Sequence, residues 1–68
     1  MKQVDAMPTE GQFVVIYSNV NGLWCDTHRW HGADLLWYSD EDDEFETVML
    51  RDILEKLRDS QNVTYFTL

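Results

Sequence analysis

Apolar positions change rhythm twice along this chain, from continuous to interrupted and then to helical. Phe13-Val14-Val15-Ile16-Tyr17 is an unbroken run of β-branched and aromatic residues. Such a run predicts a strand buried on both sides or curled into a barrel. Asn21-Gly22 follows, the pair that best tolerates the positive φ angles of a two-residue hairpin turn. That turn would place Val20 opposite Leu23, Ile16 opposite Thr27 and Phe13 opposite Trp30. One face then carries Phe13, Val15, Tyr17, Trp24, His28 and Trp30, and the other Val14, Ile16, Leu23, Cys25 and Thr27. Both faces are largely apolar, so a flat sheet with one side open to water is not expected.

The second strand, Leu23 to about Trp30, breaks at His31-Gly32. Asp34–Tyr38 reads as a third strand and Phe45–Leu50 as a fourth. Leu50, Ile53, Leu54 and Leu57 then recur at helical spacing, which predicts a helix over about Arg51–Asp59, with Thr47 a candidate for an earlier N-cap. Asp52 and Lys56 are i,i+4 partners and Glu55 can meet Arg51 or Arg58, giving a self-neutralised outer face. Ser60-Gln61-Asn62 ends the helix before a last strand, Val63–Leu68. Residues 1–10 show no period and predict poor order, with Met7-Pro8-Thr9-Glu10-Gly11 as punctuation.

Composition sharpens this picture in two ways. A chain of 68 residues is a single domain near the lower size limit for one core, and its three Trp, three Tyr and three Phe supply large buried area from few positions. The net charge of −8 is local: residues 39–46 hold six acids and no base, leaving a net of about −2 elsewhere. That balance argues against direct nucleic-acid binding, which needs clustered Lys and Arg, and favours basic or cationic partners. The single Cys25 cannot form an internal disulfide, and the chain shows neither a leader pattern nor an apolar run of membrane-spanning length. The expectation is a soluble protein of a reducing compartment, cytoplasmic or nuclear, with no membrane partner.

The element order, with Gly11-Gln12-Phe13-Val14-Val15-Ile16-Tyr17, Asn21-Gly22-Leu23-Trp24, Leu36-Trp37-Tyr38 before the acidic turn, and Glu46-Thr47-Val48 leading to Leu50-Arg51-Asp52-Ile53, resembles a Tudor-type SH3-like barrel over residues 11–54. The resemblance implies a mainly β fold, a small five-stranded barrel with a helix between strands 4 and 5, longer than the single helical turn usual in the family. It also implies an aromatic cage for methylated Lys or Arg. Tyr17 matches a cage position if the hairpin loop is one residue longer than usual; otherwise Ser18 does. Cys25 stands where the family has an aromatic, Trp37 or Tyr38 matches the end of the third strand, and acids among Asp40–Glu44 replace the expected aromatic and Asn. Pro8-Thr9-Glu10-Gly11 and the Gly-x-Trp hairpin also resemble short phage and prophage proteins of unknown function.

Other constellations carry less. Cys25, His28 and His31 have zinc-ligand types, but strand parity puts His28 on the face opposite Cys25 and His31. Asp40, Asp42 and Glu44 begin like a calcium loop, yet Phe45 and Arg51 occupy its glycine and glutamate positions. No nucleophile and base are paired, so no enzyme, metal or cofactor is expected. The expected function is a non-enzymatic module that binds a basic, Lys/Arg-rich peptide or protein, methylated or not. Its partner-binding residues are Tyr17, Trp37, Tyr38, Asp40, Glu41, Asp42, Asp43 and Glu44. The alternative is a phage-type acidic inhibitor that mimics nucleic acid and blocks a host nucleic-acid-binding protein. Spare aromatics and the last strand leave homo-oligomerisation open.

Overall fold

A computed structural model of the chain describes residues 1–39 and 45–68. Its strands are β1 (Lys2–Val4), β2 (Gln12–Asn19), β3 (Gly22–Trp30), β4 (Leu35–Ser39), β5 (Phe45–Met49) and β6 (Gln61–Thr67), with helix α1 (Leu50–Arg58) between the last two. The protein is mainly β: all six strands join one antiparallel sheet in the order β1-β6-β2-β3-β4-β5. Two expectations are corrected. The strands number six, not five, because Lys2–Val4 pairs with Tyr65–Thr67. The sheet is also not a closed barrel, since β1 and β5 are both edges.

The hairpin register differs from the expected one by two residues. Tyr17 faces Trp24, Phe13 faces His28 and Asn19 faces Gly22, so Val20 and Asn21 form the turn and Gly22 follows it. Gly22 alone of these takes a positive φ, 125°, the pattern of a connection in which a glycine after the turn absorbs the left-handed step. The Asn19 side chain supports the turn, its Oδ1 accepting from the Asn21 N–H at 2.8 Å and the Trp24 indole N–H at 3.0 Å. A β-carbon at Gly22 would touch nothing within 4 Å. Gly22→Ala therefore isolates the backbone cost, and a loss of about 1 kcal/mol is expected from urea unfolding midpoints.

A slip of two preserves side-chain parity, so the expected inner face survives. Phe13, Val15 and Tyr17 from β2 and Leu36 from β4 form the core with Ile53 and Leu57 of α1. Burying each of those two helix residues is worth roughly 1.5–3 kcal/mol, enough to hold a nine-residue helix that is too short to be stable alone. Leu54, expected in the same stripe, stays half exposed. The helix follows β5 directly, and its first N–H, of Leu50, donates to the Asp34 carbonyl at 2.9 Å. Met49, not Thr47, is the N-cap, and it has no side-chain cap bond.

The outer face departs from expectation. Val14 is buried, but Leu23 and Cys25 are exposed, so the sheet does open to water near the hairpin. The first residues are held by contacts that carry no periodic signal. Met7 packs on the core, and the Trp30 indole N–H donates to the Pro8 carbonyl at 2.8 Å. Among the described residues no helix is long and apolar enough to cross a membrane.

Candidate functional site

The inner face of β3 places a polar residue where the pattern asks for an apolar one. Asp26 alternates with Trp24 and His28, lies opposite Val15, and is 2 % exposed. An ionised carboxylate there requires compensation, and three side chains from three elements provide it. The Tyr17 hydroxyl of β2 donates to Oδ2 at 2.7 Å, and the Tyr38 hydroxyl of β4 donates to Oδ1 at 3.3 Å. Lys56 of α1 reaches over the sheet to place Nζ 2.9 Å from Oδ2. The same ammonium lies 5.3 Å from the ring centroids of both Tyr17 and Tyr38, within cation–π range. Burial, then the bond to Asp26, raises the Tyr17 hydroxyl well above the ordinary tyrosine range, so it remains a donor at neutral pH.

His28 lies next along the same face, 1 % exposed, with its ring between Phe13 at 5.5 Å and Tyr38 at 5.4 Å. Desolvation, followed by the Lys56 charge, lowers its pKa from 6.5 to about 4, against a smaller opposing pull from Asp26 and the Trp37 backbone. The imidazole is therefore neutral, with one N–H to give and one lone pair to accept. Neither ring nitrogen meets a partner in good hydrogen-bond geometry among the described residues, the Trp37 backbone making only a minor contact. Leaving such atoms buried and unmatched costs about 1–3 kcal/mol.

His28 forms the floor of an open cleft of about 220 Å³ between α1 and the β4–β5 hairpin. Val48 and Ile53 give it apolar walls, Tyr38 an aromatic one, and Lys56 also lines it. Two carboxylates stand at its rim, Glu46 from β5 and Asp52 from α1. Among the described residues Asp52 pairs with Arg51, at 3.9 Å with both side chains exposed, a contact worth little.

The sequence-predicted residues are divided by this geometry. Tyr17 and Tyr38 come together, but Tyr17 is 4 % exposed and both hydroxyls are committed to Asp26. Trp37 belongs to the other side of β4, stacked on His31 at 4.6 Å with the Arg29 guanidinium 5.3 Å from its ring centroid. Asp40, Glu41, Asp42, Asp43 and Glu44 lie outside the described residues. The expected Asp52–Lys56 pair is replaced by the pair with Asp26. Of the zinc-type residues, Cys25 is exposed on one face and His28 buried on the other, while His31 stacks on Trp37. Among the described residues no three ligand side chains converge.

Asp26 and Lys56 were missed as site residues, and Glu46 and Asp52 were read only as part of the acidic stretch and of the outer helix face. The available signal was Asp26 itself, an acid at an inward position of a strand, which demands a cationic partner from elsewhere in the chain. Comparison with protein-family models, curated protein sequences and solved structures finds no match.

Proposed function

We propose that this protein is a non-enzymatic interaction module that takes a basic, Lys/Arg-rich segment of a partner protein at the end of the sheet where β4 and β5 meet the helix. The observation that carries this reading is the cleft rimmed by Glu46 and Asp52. Glu46, which lines this concave and partly apolar surface, belongs to the acidic stretch of the sequence, residues 39–46. Charge of this kind speeds the encounter, and a desolvated contact in the cleft slows departure. The Tudor-type SH3-like likeness rests on the sequence motifs; the four-strand meander, helix and final strand are compatible with it, while the open sheet and the added edge strand depart from it.

One feature of that resemblance is modified. The ring pair that a methylated cation would use, Tyr17 and Tyr38, already faces the protein's own ammonium on Lys56. Recognition is accordingly assigned to charge and to the cleft, with no requirement for methylation. An Arg- and Lys-rich peptide should bind, in methylated and unmethylated forms alike. Replacing Asp42 and Asp43 by Asn and Glu44 by Gln together should slow association about tenfold or more and flatten its salt dependence. Stopped-flow fluorescence at several salt concentrations measures this, and unchanged association in the neutralised variant counts against the reading.

A specific observation also favours the nucleic-acid mimic as a second reading. Lys56 turns inward to Asp26, so the outer helix face keeps Asp52, Glu55 and Asp59 against only Arg51 and Arg58. A mimic would displace duplex DNA from a basic DNA-binding protein, and an interaction module would leave such complexes intact.

A further inference from the structure

We infer that the cleft above His28 is a subsite for one arginine side chain of the basic partner, an inference that rests on the proposed function. Three charged side chains line the cavity: Lys56, which pairs with the buried Asp26 at 2.9 Å, and the rim carboxylates Glu46 and Asp52. With that pair satisfied, the two rim carboxylates leave an excess of negative charge that attracts a cation. A volume of about 220 Å³ falls below the roughly 300–1,000 Å³ of sites for whole small molecules, and suits one side chain.

The walls select the kind of cation. Val48 and Ile53 offer apolar surface for an aliphatic stem, while the acceptors are spread around its head: one carboxylate on β5, one on α1, and the imidazole lone pair at the floor. A guanidinium has five donors fixed in a plane and is weakly hydrated, so it can bond to acceptors on separate elements. A lysine ammonium is compact and strongly hydrated, and it would approach the inner cation as a point charge. The His28 nitrogens are covered, so an entering guanidinium gains their lone pair only as the side chains above shift aside. This subsite is distinct from the Tyr17–Tyr38 pair, where Lys56 stands. His28 then has a reason to be a buried polar residue whose ring nitrogens lack a well-aligned partner among the described residues.

The test titrates three blocked short peptides, identical except for a central Arg, Lys or citrulline, into the uniformly labelled protein. Backbone amide and His28 ring nitrogen resonances are followed by NMR. The arginine peptide is expected to move the His28 ring nitrogens together with the Glu46, Val48 and Asp52 amides, and to bind at least about tenfold more tightly than the citrulline peptide. Glu46→Gln combined with Asp52→Asn, both at exposed positions, should remove that preference while leaving the core resonances in place. Two results overturn the subsite. One is equal response to Arg and Lys; the other is an arginine peptide that leaves the His28 ring unmoved. In either case a longer Arg- and Lys-rich peptide that still shifts residues flanking the acidic turn preserves the proposed function. If that longer peptide also fails to bind, both readings fall.

Discussion

Lys56→Met should lower stability by about 2–3 kcal/mol, a large share of the roughly 4–10 kcal/mol expected for a domain of this size. The reason is an asymmetry between the two partners of the inner ion pair. Asp26 has 3 % of its side chain exposed and Lys56 has 35 %. Removing the ammonium strands the carboxylate with two phenol donors and no cation. Removing the carboxylate's charge lets the lysine turn to water. Loss of one partner from a fully buried pair costs about 3–5 kcal/mol, and the partial exposure of Lys56 reduces that figure. Asp26→Asn keeps an acceptor for the Tyr17 hydroxyl, so it should cost only about 1 kcal/mol. The double variant should be no worse than Lys56→Met alone, and the missing additivity, about 1 kcal/mol or more, is the coupling between the two groups. Urea unfolding of the wild type, both single variants and the double variant measures it. Additive effects would mean that Lys56 acts through its packing over the tyrosine rings and not through Asp26.

The same pair shows what the sequence could and could not convey. Strand existence, the inner face and the helix were legible because period-two and period-three-to-four patterns are local, and parity survives a two-residue slip of the hairpin. The slip itself was not legible. Asn21-Gly22 fits a two-residue turn, and what separates that turn from one centred on Val20-Asn21 is the pairing of Asn19 with Gly22 and a φ at Asn21 that is not positive. Lys56 was read as the i,i+4 partner of Asp52 because both lie on one helix. In the fold it goes to Asp26, 30 residues away, where an unmatched buried carboxylate competes far more strongly than an exposed one. Tyr17 and Tyr38 were expected to contact a partner's cation, whereas in the fold their rings face the chain's own ammonium on Lys56. The N-terminal segment was unreadable since an indole N–H on a carbonyl and an isolated methionine contact leave no period.

Acid should destabilise this protein through His28 in addition to its carboxylates. The imidazole has an ordinary pKa of 6.5 when the chain is unfolded and about 4 when folded. Between those values the unfolded chain binds a proton that the folded chain refuses, so lowering the pH favours unfolding. The contribution of the neutral ring is complete above pH 6.5, declines as pH falls, and is lost near pH 4, a total of about 3 kcal/mol. The groups around the ring fix the direction. Lys56 of α1 disfavours a second cation. Asp26 on β3 pulls the other way without overcoming burial. Tyr17 and Tyr38 are hydroxyl donors to Asp26, and Glu46 and Asp52 stand out at the rim. His28→Leu removes the titration and the two unmatched nitrogens together. At neutral pH it should be neutral to about 1 kcal/mol stabilising, since the lost packing is offset by relief of polar burial. Between pH 6.5 and 4 its stability should fall less steeply than the wild type's by about 1.4 kcal/mol per pH unit. Chemical denaturation across that range measures the difference, in which the carboxylates common to both proteins largely cancel. Parallel curves would show that the ring is protonated in the folded protein. Divergent curves with a neutral-pH gain would mean that the fold gives up stability to keep an imidazole at the floor of the cleft, the trade expected of a residue held for binding.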